Sequence, residues 1–241
     1  MITLILLIGC GQFCNAELST REILKRCDQA RGNLEGVRWT VSVAEMDGHE
    51  ESLREIHVQA KGFDMLAETL SPPRQKGHKL LQVKNNMFFY KPGLSKPVPV
   101  SLRQKLAGKA ANGDIASTNY AEDYVVVAVE EGAHQGKPCF VYELEAQVRS
   151  VTYARIRYWV CKERFVGLRA DYFTASGEKQ IKTAEMDYAH RVDSGDGARW
   201  FISEMMIRDT LASTAVTRLS FSEPELGEVP ARVFNVNAMA R

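Results

Sequence analysis

From about Val37 to Phe221, hydrophobic and polar residues alternate in short runs rich in β-branched and aromatic side chains. Val37, Trp39, Val41 and Val43 share one face of the first run, because successive side chains of a strand point to opposite sides. Further strands are predicted over 53–60, 63–70, 79–83, 87–90, 124–129, 138–148, 153–165, 166–174, 178–188, 199–208 and 215–221. Turn residues separate them, notably Lys61-Gly62, Asn85-Asn86 and Ala175-Ser176-Gly177. About eleven or twelve antiparallel strands suffice to curl into a barrel or half-barrel.

Two stretches depart from this period. Ser19-Thr20-Arg21-Glu22 reads as a capping box, and Ile23, Leu24, Cys27 and Ala30 recur at helical spacing up to Gly32. One amphipathic helix therefore precedes the sheet. The second departure runs from Lys91 to Asp123. Its prolines at 92, 97 and 99 cannot donate to a central ladder. Ser101–Ala107 is predicted as a short helix with Leu102 and Leu106 one turn apart, and a second short helix fits before Asp123. An interruption of roughly 30 residues is longer than a hairpin needs, and such loops are usually functional.

The clearest hairpin joins 138–148 to 153–165. With its turn centred on Ser150, Glu143 faces Arg157, Glu145 faces Arg155, Val141 faces Trp159 and Cys139 faces Cys161. On the other side Phe140 meets Val160, Tyr142 meets Tyr158 and Leu144 meets Ile156. A slip of two residues on one strand keeps the faces but loses an ion pair and the cysteine match. Each opposite-charge pair is worth only about 0.2–1 kcal/mol, so the simultaneous match carries the register. Cys139 and Cys161 are then close enough for a disulfide; the alternative is two reduced thiols side by side. The continuous apolar face is either core beneath the helix or the wall of a ligand cavity on the concave side.

Composition narrows the function. With 31 basic and 30 acidic residues the net charge is +1, so nothing predicts nucleic acid as a partner. The apolar run Ile2–Ile8 is too short to span a bilayer and suits a signal peptide over residues 1–16. Two processing routes fit: cleavage before Glu17, or lipidation of Cys10 in Leu7-Ile8-Gly9-Cys10. Residues 17–241 read as a single domain, exported and monomeric. Three cysteines remain after Glu17, and an exported chain can keep one bridge.

No nucleophile elbow, P-loop, dinucleotide-binding or zinc-protease motif is present. The five histidines (49, 57, 78, 134, 190) have no metal-ligand spacing, and Asp114, Glu122 and Asp123 read as solvated or capping carboxylates. The expectation is a protein without catalytic residues, metal or cofactor.

Several ordered stretches resemble one family. They are Lys76-Gly-His-Lys-Leu-Leu, Met87-Phe-Phe-Tyr-Lys-Pro-Gly-Leu-Ser-Lys-Pro, Asp114–Tyr124, Arg157-Tyr-Trp-Val-Cys-Lys-Glu, Arg169–Lys179, Thr214–Leu219 and Pro230–Phe234. The chain is similar to the bacterial outer membrane lipoprotein-sorting proteins, relatives of the periplasmic carrier LolA and its receptor LolB. The resemblance implies an open half-barrel of about eleven strands with a helical lid, binding the acyl chains of a lipid or lipoprotein. The cavity wall would be Trp39, Val41, Val43, Phe140, Tyr142, Leu144, Ile156, Tyr158 and Val160, with Leu102 and Leu106 on the lid. No arginine is matched to the latch that closes such a lid. Cys161 stands where the family carries an acid, and a bridge to Cys139 would account for it. The second function considered is an accessory subunit docking on an RND-type inner-membrane exporter; a lipid hydrolase is a distant third.

Overall fold

The computed structural model describes residues 18–47, 50–84, 86–107, 109–116, 118–174, 176–193, 197–210 and 216–240. The leader and Cys10 lie outside them. The predicted first helix is α1 (Thr20–Ala30), and its capping box forms as read: Ser19 Oγ accepts from Glu22 N while the Glu22 carboxylate accepts from Ser19 N. Ile23, Leu24, Cys27 and Ala30 are buried on one side.

In chain order the strands are β1 (Val37–Asp47), β2 (Glu50–Lys61), β3 (Asp64–Ser71), β4 (Lys79–Val83), β5 (Asn86–Tyr90), β6 (Val98–Val100), β7 (Lys105–Ala107) and β8 (Ala110–Ala111). A short helix α2 (Tyr120–Asp123) follows. Then come β9 (Tyr124–His134), β10 (Lys137–Ala146), β11 (Arg155–Cys161), β12 (Gly167–Phe173), β13 (Gln180–Asp187), β14 (His190–Asp193), β15 (Ala198–Phe201), β16 (Glu204–Asp209) and β17 (Val216–Leu226).

Thirteen of these form one antiparallel sheet in the order β6-β5-β4-β3-β2-β1-β17-β16-β13-β12-β11-β10-β9. β6 and β9 are its unjoined edges, so the sheet is open. The sheet has one strand more than the expected eleven or twelve, β6, and one expected strand is split, with only its second part, β16, in the sheet. The proline-rich stretch does contribute β6, but at an edge, where Pro99 opposite Phe88 leaves no central ladder bond missing. The single strand expected over 199–208 is two, β15 and β16. The chain breaks at Ile202-Ser203, where Ser203 N donates to Asp187 O and Ser203 O accepts from Phe221 N. β14 pairs with β15 and β7 with β8 as small ribbons.

The predicted helix over Ser101–Ala107 does not form. Leu102 O accepts from Gly113 N, Gln104 O accepts from Asn112 N, and Ser101 O accepts from the Asn112 side chain. The carbonyls an α-helix would use locally are spent on residues 112–113 instead. The expected second short helix does form, as α2.

The central hairpin has the register read from its charges. Cys139, Phe140, Val141, Tyr142, Glu143, Leu144 and Glu145 face Cys161, Val160, Trp159, Tyr158, Arg157, Ile156 and Arg155. Arg155 pairs with Glu145 at 3.1 Å, and Arg157 lies between Glu143 (3.3 Å) and Glu130 (2.8 Å). The turn is not tight: residues 147–154 form a loop that sends Val151 and Tyr153 into the core.

Alternate residues of the strands bury on the inner face, and one cluster joins them to α1, the 102–124 insertion and the β14–β15 hairpin. A smaller cluster lies outside β3–β5, where Val229, Phe234 and Met239 of the C-terminal turns cover Leu81.

Candidate functional site

The expected wall residues do share the inner face, but they are covered. Trp39, Val41, Val43, Tyr142, Leu144, Ile156, Tyr158 and Val160 are all at most 2% exposed, and Phe140 is half-buried. α1 lies over the hairpin end, with Cys27 Sγ donating to Phe165 O. Phe201 meets the Trp39 ring edge-on at 5.6 Å, and Tyr120 meets Tyr158 at 5.3 Å. In this structure the face is covered by α1 and the insertion. Trp39 Nε1 is buried there without an acceptor. Cys139 and Cys161, directly opposed and buried, are free thiols in this structure.

The cover over the other half of the sheet is built differently. Beneath Leu106, the inner side of β2–β5 forms an open depression of about 310 Å³, lined by Leu80, Phe89, Val100 and Leu106 and by the polar Arg54, Gln75, His78, Gln104 and Asn112. A pocket of about 40 Å³ below it adds Ile56, Ala67 and Ile115. Of the two expected lid residues, Leu102 is buried and Leu106 half-buried, so both face inward although they sit on a turn and on β7. Arg54 Nη1 donates to Leu106 O at 2.9 Å, from the sheet to the cover. Burial lowers the Arg54 pKa, and burial together with the nearby Arg54 and Lys91 charges lowers that of His78.

Other framework side chains reach the backbone of the insertion in the same way. The Asp28 carboxylate of α1 accepts from Tyr120 N and Ala121 N, both at 2.9 Å. Arg31, only 4% exposed, donates to Asp114 O at 3.2 Å. Asn33 donates to Thr118 O, Lys182 to Lys109 O, and Thr217 Oγ1 accepts from Lys109 N. Asp114, expected to be a solvated or capping carboxylate, caps but is buried. It accepts from Ala111 N at 2.7 Å and from the Tyr153 hydroxyl at 3.0 Å. Burial raises its pKa, raises that of Asp28 to about 6 against its backbone hydrogen bonds, and pushes Tyr120 up to about 12. A cavity of about 40 Å³ lies among Arg31, Asp114, Tyr120 and Tyr153.

These latch residues were not singled out in the sequence, yet a signal was present. Arg54 has the same strand phase as the inward Ile56, Val58 and Ala60. Asp28 and Arg31 continue the helical stripe begun at Leu24. A charge in an apolar phase marks a group whose partner is inside. Among the described residues no group of three or more metal-ligating side chains is present. The buried carboxylates are already bound to backbone and hydroxyl donors.

The family described only as uncharacterized protein-like matches residues 62–241. The chain belongs to that family. No curated protein matches it. Among solved structures, a LolA superfamily protein from Nitrosomonas europaea is 25% identical, covering 91% of this chain and 98% of its own, with TM-score 0.81. A putative outer membrane lipoprotein-sorting protein domain from Vibrio parahaemolyticus is 18% identical over 92% and 98%, with TM-score 0.76. A DUF1329 family protein from Desulfovibrio piger is 17% identical over 91% and 97%, with TM-score 0.74. The resemblance read from the ordered motifs is thus met by the fold, which is LolA-like. Among the described residues no helix is long and apolar enough to cross a membrane.

Proposed function

We propose that this chain is a periplasmic, non-catalytic carrier of lipid or lipoprotein acyl chains, seen with its cover closed. The observation that carries the reading is the Arg54–Leu106 hydrogen bond across a depression whose floor is Leu80, Phe89 and Val100 and whose rim is polar. The cover is held by hydrogen bonds to its backbone at a few points and by its buried Leu102, Ile115 and Tyr120; on this reading the end at Leu106, half-buried and held by Arg54, opens first. An opened cover would expose Ile56, Ala67, Leu80 and Phe89. The inner face toward Trp39 and the hairpin would extend the cavity if the insertion and Tyr120 moved further. Burying an acyl chain of about 16 carbons at ~0.8 kcal/mol per CH2 supplies on the order of 10 kcal/mol before the costs of binding. The LolA-like fold supports the class of ligand, and the leader supports export.

The test is binding of a fluorescent fatty acid, with native mass spectrometry of gently purified protein to find bound lipid. Bound lipid, with amide exchange around Leu102–Leu106 rising on loading, is expected. A protein that is lipid-free and takes no probe would sink the reading. A second reading, an accessory subunit of an RND-type exporter, is favoured by one feature. The edge strand β9 is eleven residues long, with Val125, Val127 and Val129 44%, 50% and 50% exposed. Long uncovered edges are templates for pairing with another chain. Co-purification with an exporter but without lipid would select it.

A further inference from the structure

We propose that the rim where α1, the β11–β12 turn and the β14–β15 hairpin meet is a docking surface for an anionic phospholipid bilayer. The proposal does not depend on the acyl-chain cavity. A groove of about 470 Å³ opens there, with Phe165 and Trp200 among its walls and Lys25, Arg26 and Arg164 around it. The guanidinium groups of Arg164 and Arg191 each lie 4.3 Å from the Trp200 ring centre, and that of Arg26 lies 5.2 Å from Phe165.

The rim gathers four cations around two aromatic rings with few acids among them. Across the sheet, cations sit against acids, as in Arg155–Glu145, Lys162–Glu131 and Arg208–Glu185. Among the described residues Lys25, Arg26, Arg164 and Arg191 form no ion pair, and all four are exposed. Three acids lie close by: Glu163 in the same turn, Asp193 two residues from Arg191 on β14, and Glu22, whose carboxylate is held by Ser19 N and Oγ and also feels the Arg26 and Lys25 charges. In a chain of net charge +1, this is a local concentration that an external anion would relieve.

The aromatic groups point the same way. Phe165 has φ +51°, the left-handed region that a bulky side chain rarely occupies. Glycine would adopt that backbone freely, so the turn carries a strained residue and gains a ring beside the cations. Half-buried aromatic rings ringed by Lys and Arg match a bilayer interface, where indole and phenyl groups sit at headgroup depth and cations meet phosphates. Leu18, the first described residue, lines the groove. On the lipidation reading, Cys10 lies eight residues before residue 18, a reach of at most about 29 Å. A tether there would hold this rim at the membrane surface.

The test is flotation of the full chain with vesicles of phosphatidylcholine alone or with one-third phosphatidylglycerol, at low and high salt. Binding is expected with the anionic vesicles only and is expected to weaken in high salt. Each charge near such a surface contributes about a fivefold change, so the double variant Arg26→Glu/Arg164→Glu should lower partitioning by about a hundredfold or more. Phe165→Gly relieves the backbone while removing the ring; it should stay folded and bind several-fold more weakly. Arg232→Glu, an exposed cation in the C-terminal turns, should bind as wild type. Equal binding to neutral and anionic vesicles, or wild-type binding by a folded double variant, would overturn the proposal. So would a shift of Trp200 fluorescence with inorganic phosphate but no vesicle binding, which would mark a soluble-anion site instead.

Discussion

The two covers on the concave face are held by different physics. α1 is a regular amphipathic helix, capped at its start, whose Ile23, Leu24, Cys27 and Ala30 disappear into the core. The insertion has little regular structure of its own. It also buries Leu102, Ala110, Ile115, Ala116 and Tyr120, but it is tied in addition by individual polar side chains reaching its backbone: Arg54, Arg31, Asp28, Asn33 and Lys182. Apolar burial is spread over many contacts and yields only when the whole element leaves. A latch made of single hydrogen bonds, each worth about 1–3 kcal/mol net when one partner is charged, can be released one bond at a time. On the function proposed above, the first cover belongs to the fold and the second is the one that opens.

The comparison predicts effects of decreasing size. Leu24→Asp puts a charge where α1 meets the sheet, and should cost about 5 kcal/mol and abolish the cooperative urea transition. A stable variant would mean that α1 is not integral to the core.

A smaller effect concerns the paired cysteines. Lys162 N donates to Pro138 O, which makes Cys139–Cys161 a non-hydrogen-bonded pair. Such pairs have Cα atoms about 4.5 Å apart, inside the range a disulfide spans. We predict that oxidised protein carries this bridge in non-reducing peptide maps, and that it adds about 3 kcal/mol by closing a loop of about twenty residues. Free alkylation of both thiols without reductant would refute the bridge.

Asp28 tests the polar tie between the two covers. Its folded pKa of about 6 lies above the ordinary 3.8, chiefly through burial. The folded state therefore keeps the proton to higher pH than the unfolded chain, so this group's contribution to stability falls as pH rises from about 4 to 6. The fall is of order 3 kcal/mol and is complete above that window. Asp28→Asn should flatten that part of the pH profile in urea unfolding. A parallel profile for the variant would show that the buried carboxylate is not the cause.

The smallest effect on stability should come from Arg54→Gln, about 1 kcal/mol, with a disproportionate change in the cover. Amide exchange at 105–107 should rise and fatty-acid uptake should quicken while the central hairpin stays protected. Equal changes across the whole sheet would mean that Arg54 is ordinary framework.

Much of the β-structure was legible because strand alternation is a local signal. The β10–β11 register followed from Glu143, Glu145, Arg155 and Arg157 alone, since only one alignment satisfies both ion pairs and both faces. The α1 capping box is equally local, lying within four residues. The missed helix over Ser101–Ala107 shows where local reading ends. Leu102 and Leu106 had the right spacing, but the carbonyls of Ser101, Leu102 and Gln104 found donors at Asn112 and Gly113, and no propensity encodes that partner.

The sequence by itself determined the strand-rich fold, the inward faces, the hairpin register and the family likeness. Tertiary structure alone decided what covers each inward face. Tyr142 and Tyr158 look the same in sequence as Leu80 and Phe89, because alternation reports which side a residue takes, not what lies over it. The first pair lies beneath α1 and Tyr120, the second beneath an insertion latched by Arg54. The difference arises from contacts between segments far apart in the chain, which a one-dimensional pattern does not contain.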